Sequence, residues 1–271
     1  MLLTSRCFWG ILVVAIGLGA HAAQAQTRLA APLPSAPSDE QSYKKEFVYG
    51  VNFNTQAGLI GGVAVRSARM LDERLLRFWS IEGVMLKNKK EEQRQTGLGV
   101  YTPFKANYAF SLRPSFGFQR ILFRKAADAG VQVNGLLSAG PSIGLLMPYY
   151  ITYDYTLAQN GGSVVYNTDD IANEAYDPAI HTEQNAILDR APLFSGIGGT
   201  QVVPGFHLRG GLSFEYGRYR DAVTGVEVGF LMEAYSKRMV IFKTTDVTDD
   251  EQLNRKFFPS VYLTLYFGQR S

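Results

Sequence analysis

The sequence predicts an all-β chain folded as a closed, antiparallel, up-and-down transmembrane β-barrel of eight strands. Three observations carry this. Segments that alternate apolar and polar residues recur from residue 47 almost to the C-terminus, the period of a strand with two unlike faces. The connections between them alternate between short and long, as in a barrel whose turns lie at one end and whose loops lie at the other. Within those segments the polar face holds glycine, serine, asparagine, arginine and glutamate, but no lysine or aspartate. Water tolerates long charged side chains, whereas the interior of a narrow barrel needs compact, mutually satisfied ones. The competing architecture, a soluble barrel with its apolar face inward, does not explain that polar face.

In chain order, Arg6 precedes an apolar run over residues 8–20, and Ala23-Gln24-Ala25 has the small-x-small pattern that signal peptidase cuts. This predicts a signal peptide over 1–25 and export of the rest. The apolar run falls short of the about 20 residues a membrane helix needs. Cys7, the single cysteine, lies inside the signal peptide, so neither disulfides nor thiol chemistry are expected in the exported chain. Residues 26–45 contain Pro32, Pro34 and Pro37 among small residues and read as a flexible leader. Residues 46–271 are then the barrel. The formal charge of +3 is near neutral and implies no nucleic-acid partner. Beyond the signal peptide no apolar run approaches the length of a membrane helix, so a membrane would be crossed by strands.

The first hairpin sets Phe47, Tyr49, Val51 and Phe53 on one face, turns at 55–58, and returns with Val63 and Val65 opposite Ala64 and Arg66. A third strand, 75–87, places Trp79, Ile81 and Met85 against Ser80, Glu82 and Val84. The fourth, 107–123, places Tyr108, Phe110, Leu112, Phe116 and Phe118 against Ser111, Arg113, Ser115 and Gln119. The fifth begins at Val131, with Val133 and Leu137 opposite Gln132, Asn134 and Ser138, and runs past Pro141 towards residue 155. After a long insertion, Phe206, Leu208, Leu212 and Phe214 oppose His207, Arg209, Ser213 and Glu215. Val226, Val228, Phe230 and Met232 then oppose Glu227, Glu233 and Tyr235. In the last strand Phe257, Val261, Leu263, Leu265 and Phe267 share one face, and Ser260, Tyr262, Thr264 and Tyr266 the other.

Connection lengths test that count. With both termini at one end, the connections at 70–74, 124–130 and 218–223 are short turns, and those at 88–106, 157–204 and 237–256 are long outer loops; only the first outer connection is short. Closed bacterial barrels use even strand numbers from eight upward. Eight strands enclose an interior only wide enough for side chains, which disfavours an open pore. An ionised group in that interior is costly unless paired. The sequence therefore predicts a plugged lumen in which Arg66, Arg113 and Arg209 meet Glu82, Glu215, Glu227 and Glu233, joined by Gln119 and His207.

The segment 157–203 carries Asp169, Asp170, Glu174, Asp177, Glu183 and Asp189. Asp177-Pro178 suits the start of a short helix over 179–190. The spacing matches no calcium loop, and Asp246, Asp249, Asp250 and Glu251 read likewise as a solvated acidic loop. Lys87, Lys89, Lys90 and Arg94 give the third connection a basic start able to meet lipid phosphates. No Gly-x-Ser-x-Gly elbow, phosphate loop or zinc spacing is present, so no enzyme, cofactor or metal is expected. A lipid hydrolase would have to use His207 beside Ser213 and Glu215; the other histidine beyond the signal peptide is His181 in the long loop.

The terminal strand, with Tyr262, Leu263, Leu265, Tyr266 and Phe267, resembles the closing strand and assembly signal of bacterial outer-membrane β-barrels. Residues 58–65 (Gly-Leu-Ile-Gly-Gly-Val-Ala-Val), Lys87-x-x-Lys90-Glu91, 140–145 (Gly-Pro-Ser-Ile-Gly-Leu), Pro148-Tyr149-Tyr150 and 262–268 resemble uncharacterised outer-membrane barrel proteins of the Bacteroidetes type, with Met147 at a position where that pattern has a lysine. The resemblance implies residence in the outer membrane, contact with its lipids and lipopolysaccharide, and insertion by the barrel-assembly machinery. It implies no catalytic residue. The expected role is structural or surface-interacting, with a protein partner at the surface or in the envelope; porin-like transport and lipid modification are the alternatives.

Overall fold

The computed structural model describes residues 44–88, 90–96, 98–124, 130–159, 161, 170–216, 222–244 and 253–271. The expected signal peptide, most of the Pro-rich leader, Lys89, Asp169, Asp246, Asp249, Asp250 and Glu251 lie outside the described residues. So do parts of the turns at 124–130 and 218–223.

Thirteen strands are described: β1 (Lys45–Asn54), β2 (Gly58–Asp72), β3 (Leu75–Leu86), β4 (Arg94–Gln95), β5 (Val100–Tyr101), β6 (Asn107–Phe123), β7 (Val131–Pro148), β8 (Tyr150–Asp154), β9 (Ile171–Ala175), β10 (Ile187–Arg190), β11 (Gln201–Tyr216), β12 (Ala222–Met239) and β13 (Arg255–Arg270). Eight of them form one closed barrel in the order β1-β13-β12-β11-β7-β6-β3-β2. Every neighbour in the ring is antiparallel and next in chain order among the barrel strands, apart from the closing pair. There β13 returns to β1 in a register running from Glu46 opposite Arg270 to Asn54 opposite Tyr262. The fold class is therefore all-β, a closed eight-stranded up-and-down barrel. No described helix is long and apolar enough to cross a membrane.

Alternation sets which side chains fill the ring. On β13, Phe258, Ser260, Tyr262, Thr264, Tyr266 and Arg270 are buried inside, while Phe257, Val261, Leu263, Leu265 and Phe267 are exposed on the outer wall. The other strands repeat this, so that the wall carries Trp79 at 65 % exposure and Phe230 at 68 %. A water-soluble barrel does the reverse, and a contiguous apolar wall of this extent marks a surface made to be covered.

Inward glycines make room for large inward side chains. Gly211 and Gly229 face each other across β11 and β12, and a Cβ on either would meet the Tyr262 hydroxyl at 2.4 or 2.7 Å. The absent side chains form the niche that seats the closing-strand tyrosine, which is what an interior alternating small and large residues achieves.

Four boundaries differ from the sequence expectation. β2 runs to Asp72, leaving a two-residue turn at Glu73 and Arg74. β12 starts at Ala222 and reaches Met239, so the last outer connection is shorter than 237–256. β11 starts at Gln201, because its first residues pair with Leu146 to Ile143 on the elongated β7; the long connection ends at 200, not 204. The predicted helix over 179–190 does not form. The Asp177 carboxylate caps only the Ala179 N–H, a 3₁₀ turn follows at Gln184–Ala186, and residues 187–190 leave the helical path to pair with β8. The inter-strand bonds outcompete a helix with few apolar residues to bury.

Candidate functional site

The middle of the lumen is a six-residue charge network. Arg113 gives its Nε and Nη2 to Glu233 at 2.9 and 2.6 Å and its Nη1 to Glu82 at 3.1 Å. Arg209 spans Glu82 at 3.1 Å and Glu227 at 2.9 Å. Arg66 reaches the other Glu227 oxygen at 2.9 Å. Three arginines thus alternate with three glutamates, each glutamate held by at least one arginine. Neutral donors take the remaining lone pairs: Asn52 donates to Glu82 at 2.6 Å, Tyr262 to Glu227 at 2.8 Å and Ser111 to Glu233 at 2.8 Å. The Arg209 guanidinium lies 3.9 Å from the centre of the Tyr262 ring, a cation–π contact in a desolvated setting. The glutamates are thus each held by an arginine and a neutral donor, which helps to offset their desolvation, while the buried Arg66 Nε finds no hydrogen-bond partner among the described residues.

Glu215 belongs to a second cluster. It accepts from Arg270 Nη1 at 2.8 Å, and Arg270 also donates to Glu46 at 3.0 Å. This cluster lies at the end where β1 begins and β13 ends. Glu46 and Arg270 escaped the sequence reading because the first and last strands were ended one or two residues too early. Continuing the alternation by one step at each end would have found them.

His207 is 1 % exposed, but its neighbours are not Ser213 and Glu215, as the sequence suggested. Those lie further along its own strand. Instead the ring bridges two neighbouring strands, with Nε2 2.8 Å from the Ser115 hydroxyl and Nδ1 3.0 Å from the Ser142 hydroxyl. Both nitrogens are engaged. Ser213 meets the Tyr266 hydroxyl instead. Gln119, expected to join the charge network, is enclosed, but its Oε1 takes no hydrogen bond among the described residues. Tyr262 and Tyr266 of the closing strand point inward, and Leu263, Leu265 and Phe267 outward.

One cavity of about 40 Å³, bordered by Arg66, Glu82, Arg209, Glu227 and Thr264, has room for a few waters. Towards the outer end the inward residues turn apolar: Val84, Leu86, Leu146, Val203, Tyr235 and Phe258 pack with Met239, Ile241 and Phe242. The segment carrying Ile241 and Phe242 crosses this end and is tied down on both sides. Asn254 accepts the N–H groups of Ile241 and Phe242 at 2.8 and 3.1 Å and donates to the Phe242 carbonyl at 2.7 Å. Ala106 and Asn107 donate to the Ile241 carbonyl.

Above the barrel the long connections build an ordered layer. β8 continues the path of β7 beyond Tyr149 and is flanked by β9 and β10 in a three-stranded sheet. The β4–β5 hairpin covers the β10 side, where Val100 donates to the Asp189 carboxylate at 3.0 Å and the Thr96 hydroxyl to the Leu188 carbonyl. Tyr101, Tyr108, Tyr149, Ile151, Tyr153 and Tyr176 form a buried cluster beneath. This explains why Tyr108 and Met147, on outward positions of their strands, are buried. Lys105 lies against the Tyr108 ring at 4.6 Å and pairs with Glu91 at 2.7 Å; burial pushes its ammonium pKa down, with Glu91 opposing. Phe104 has φ of +61°, rare for a bulky residue, and its carbonyl accepts from Lys243. His181 is buried, its Nδ1 accepting from the Asp177 N–H at 3.0 Å.

A strap joins two of these connections. Lys243 Nζ meets Asp177 at 2.6 Å, and this bond, with the Ala179 N–H, holds the Asp177 carboxyl below its ordinary range. A carboxylate whose folded pKa is depressed contributes stability above its unfolded pKa, and that contribution is lost as pH falls through the folded one. Limited proteolysis of the outer layer should therefore accelerate as pH drops from about 5 to about 3. A Lys243→Gln variant should start faster and respond less. Equal pH responses of the two proteins would remove the strap from the account.

Among the described residues no cluster of metal ligands occurs. No protein-family model matches the chain, and no curated protein does. Among solved structures, the chain is similar to Ail, the attachment invasion locus protein of Yersinia pestis, at 9 % identity and a TM-score of 0.38, covering 84 % of this chain and 99 % of that one. It is also similar to Neisserial surface protein A, at 9 % identity and a TM-score of 0.35, covering 84 % of this chain and 97 % of that one.

Proposed function

We propose that this chain is an outer-membrane β-barrel protein with a plugged lumen, and that its work is done at the surface by the layer above the barrel. The observation that carries this is the inversion of the wall: apolar side chains from Phe47 to Phe267 face outward, while four arginines, five glutamates and His207 are enclosed. Only a hydrocarbon surrounding makes that arrangement favourable, and a closed barrel preceded by an exported leader fits an outer membrane. The terminal strand supplies the signal that the barrel-assembly machinery would read. Affiliation with the Bacteroidetes-type barrels rests on the motifs at 58–65, 140–145 and 262–268.

Two layers support the plug. The Arg–Glu network fills the middle, and the apolar layer under Ile241 and Phe242 closes the outer end. The surface role is supported by the outer layer being a folded sheet with its own buried cluster, an investment that a passive connection would not need. Lipopolysaccharide phosphates near Lys87, Lys90 and Arg94, and a protein partner on the layer itself, are the contacts this reading assigns.

The test is conductance across planar bilayers, using protein whose gel mobility changes on heating as folded barrels' does. Folded protein is expected to insert without discrete channel openings. Stable openings in the unmodified chain would overturn the plugged lumen and make the protein porin-like.

A further inference from the structure

At the end of the barrel where β1 begins and β13 ends, the outward face holds a row of cations. Lys45 stands opposite Arg69 across β1 and β2. Arg69 in turn stands opposite Arg77 across β2 and β3. On β6, Arg120 is one pleat from Phe118, the partner of Arg77. All four are exposed, and none forms an ion pair with a carboxylate of the described residues. Asp72, at the adjacent turn, accepts the Glu73 N–H and takes none of them. Like charges directly opposite on neighbouring strands repel. Four in succession along half of one rim form a basic row that is not ion-paired with Asp72 or Glu73 of the β2–β3 turn.

On the other half of the same rim, the described strand ends present uncharged outward side chains. Those nearest this end are Val131, Tyr216, Ala222 and Gln269. Immediately along the wall from the row, Trp79 packs on Phe116 at 4.8 Å between ring centres, and Phe116 meets Phe118 edge-on at 5.4 Å. Guanidinium groups beneath an exposed aromatic cluster sit where a bilayer passes from acyl chains to headgroups. Arginine also matches phosphate oxygens with paired N–H donors.

We propose that Lys45, Arg69, Arg77 and Arg120 bind the phosphate of an anionic glycerophospholipid in the leaflet at this end of the barrel. The proposal rests on the membrane-barrel reading. An anionic headgroup neutralises the row, whereas a zwitterionic one brings an ammonium that the same cations repel.

The chain supplies its own reporter. Its two tryptophans are Trp9 and Trp79, and Trp79 lies on the outward face two residues from Arg77. The full-length W9F protein is reconstituted into phosphatidylcholine vesicles containing brominated phosphatidylglycerol, or brominated phosphatidylcholine at the same fraction, and Trp79 quenching is compared. Brominated phosphatidylglycerol should quench with about fivefold higher apparent affinity, equal to about 1 kcal/mol in total for the row after screening. The R69Q/R77Q/R120Q variant, folded by its heat-dependent gel shift, should lose that preference. A K237Q/R255Q/K256Q variant, altered at the opposite rim, should keep it; if the triple arginine variant does not fold, R77Q alone should halve the preference or more.

Equal quenching by both lipids in the unmodified protein would overturn the lipid site while leaving the barrel in the membrane. A preference unchanged in the arginine variants would also overturn it. So would full displacement of the brominated lipid by inorganic phosphate at matched ionic strength, which would make free phosphate the occupant. Absence of quenching by either lipid, with emission of a water-exposed indole, would overturn the membrane reading itself.

Discussion

Replacing Arg113 with methionine should cost the barrel about 3–5 kcal/mol of stability, the range for removing one partner of a buried ion pair. Arg113 is 2 % exposed and carries three hydrogen bonds to two glutamates. Its loss leaves Glu233 with only hydroxyl donors and Glu82 with Arg209 and Asn52. The penalty is that of uncompensated charge rather than of lost packing, since methionine retains most of the volume. The measurement is the urea dependence of the folded gel band in vesicles. A paired R113M/E233Q variant should recover part of the loss, because the remaining glutamine no longer brings a charge into the lumen. A change below about 1 kcal/mol for R113M would mean that water reaches the network and that the lumen is not closed.

Asn254→Ala should have the second largest effect, and a more local one. Asn254 satisfies two N–H groups and one carbonyl of the segment across the outer end. At about 1 kcal/mol per hydrogen bond, its removal costs about 2–4 kcal/mol, with the backbone groups of Ile241 and Phe242 left to find water. The barrel strands do not depend on those bonds, so the loss should appear as opening of this end. Amide exchange at Ile241 and Phe242 should rise by about 30-fold or more, while exchange within β6 and β7 is unchanged. Simultaneous acceleration across the barrel strands would show instead that this segment is a cornerstone of the whole ring.

The contrast between these two sites explains what could be read from the chain alone. The network residues obey the two-residue period. Once Leu112 and Phe116 are assigned to the wall, Arg113 and Ser115 must lie inside, and the same reasoning places Glu227 beside Val226 and Val228. Which inner residues touch is a different matter, because that depends on stagger between strands and on partners across the lumen. His207 shows this: its neighbours Ser115 and Ser142 come from strands far away in sequence, while Ser213 and Glu215, three and four pleats along its own strand, lie beyond its reach. The outer layer was harder still. Its strands are four or five residues or fewer, too short to show a period, and β10 hides in a stretch whose Asp-Pro start imitates a helix. Asn254 gave no signal at all, since a lone polar residue before a strand is ordinary until the segment it holds is seen.

The joining of β1 to β13 bears on when this molecule comes into being. Glu46 and Arg270 meet across that seam, so the ring has no closed form until the whole of β13 is available to pair with β1. Contacts this far apart in sequence make for slow, cooperative formation. Until closure, the outer edges of β1 and β13 are unpaired strands that can accept either each other or an edge from a second molecule. Crowded folding conditions should therefore yield interlocked chains as the characteristic by-product, and the pairing of Arg270 with Glu46 and Glu215, which requires both sides of the seam to be in register, selects the monomeric ring over those alternatives.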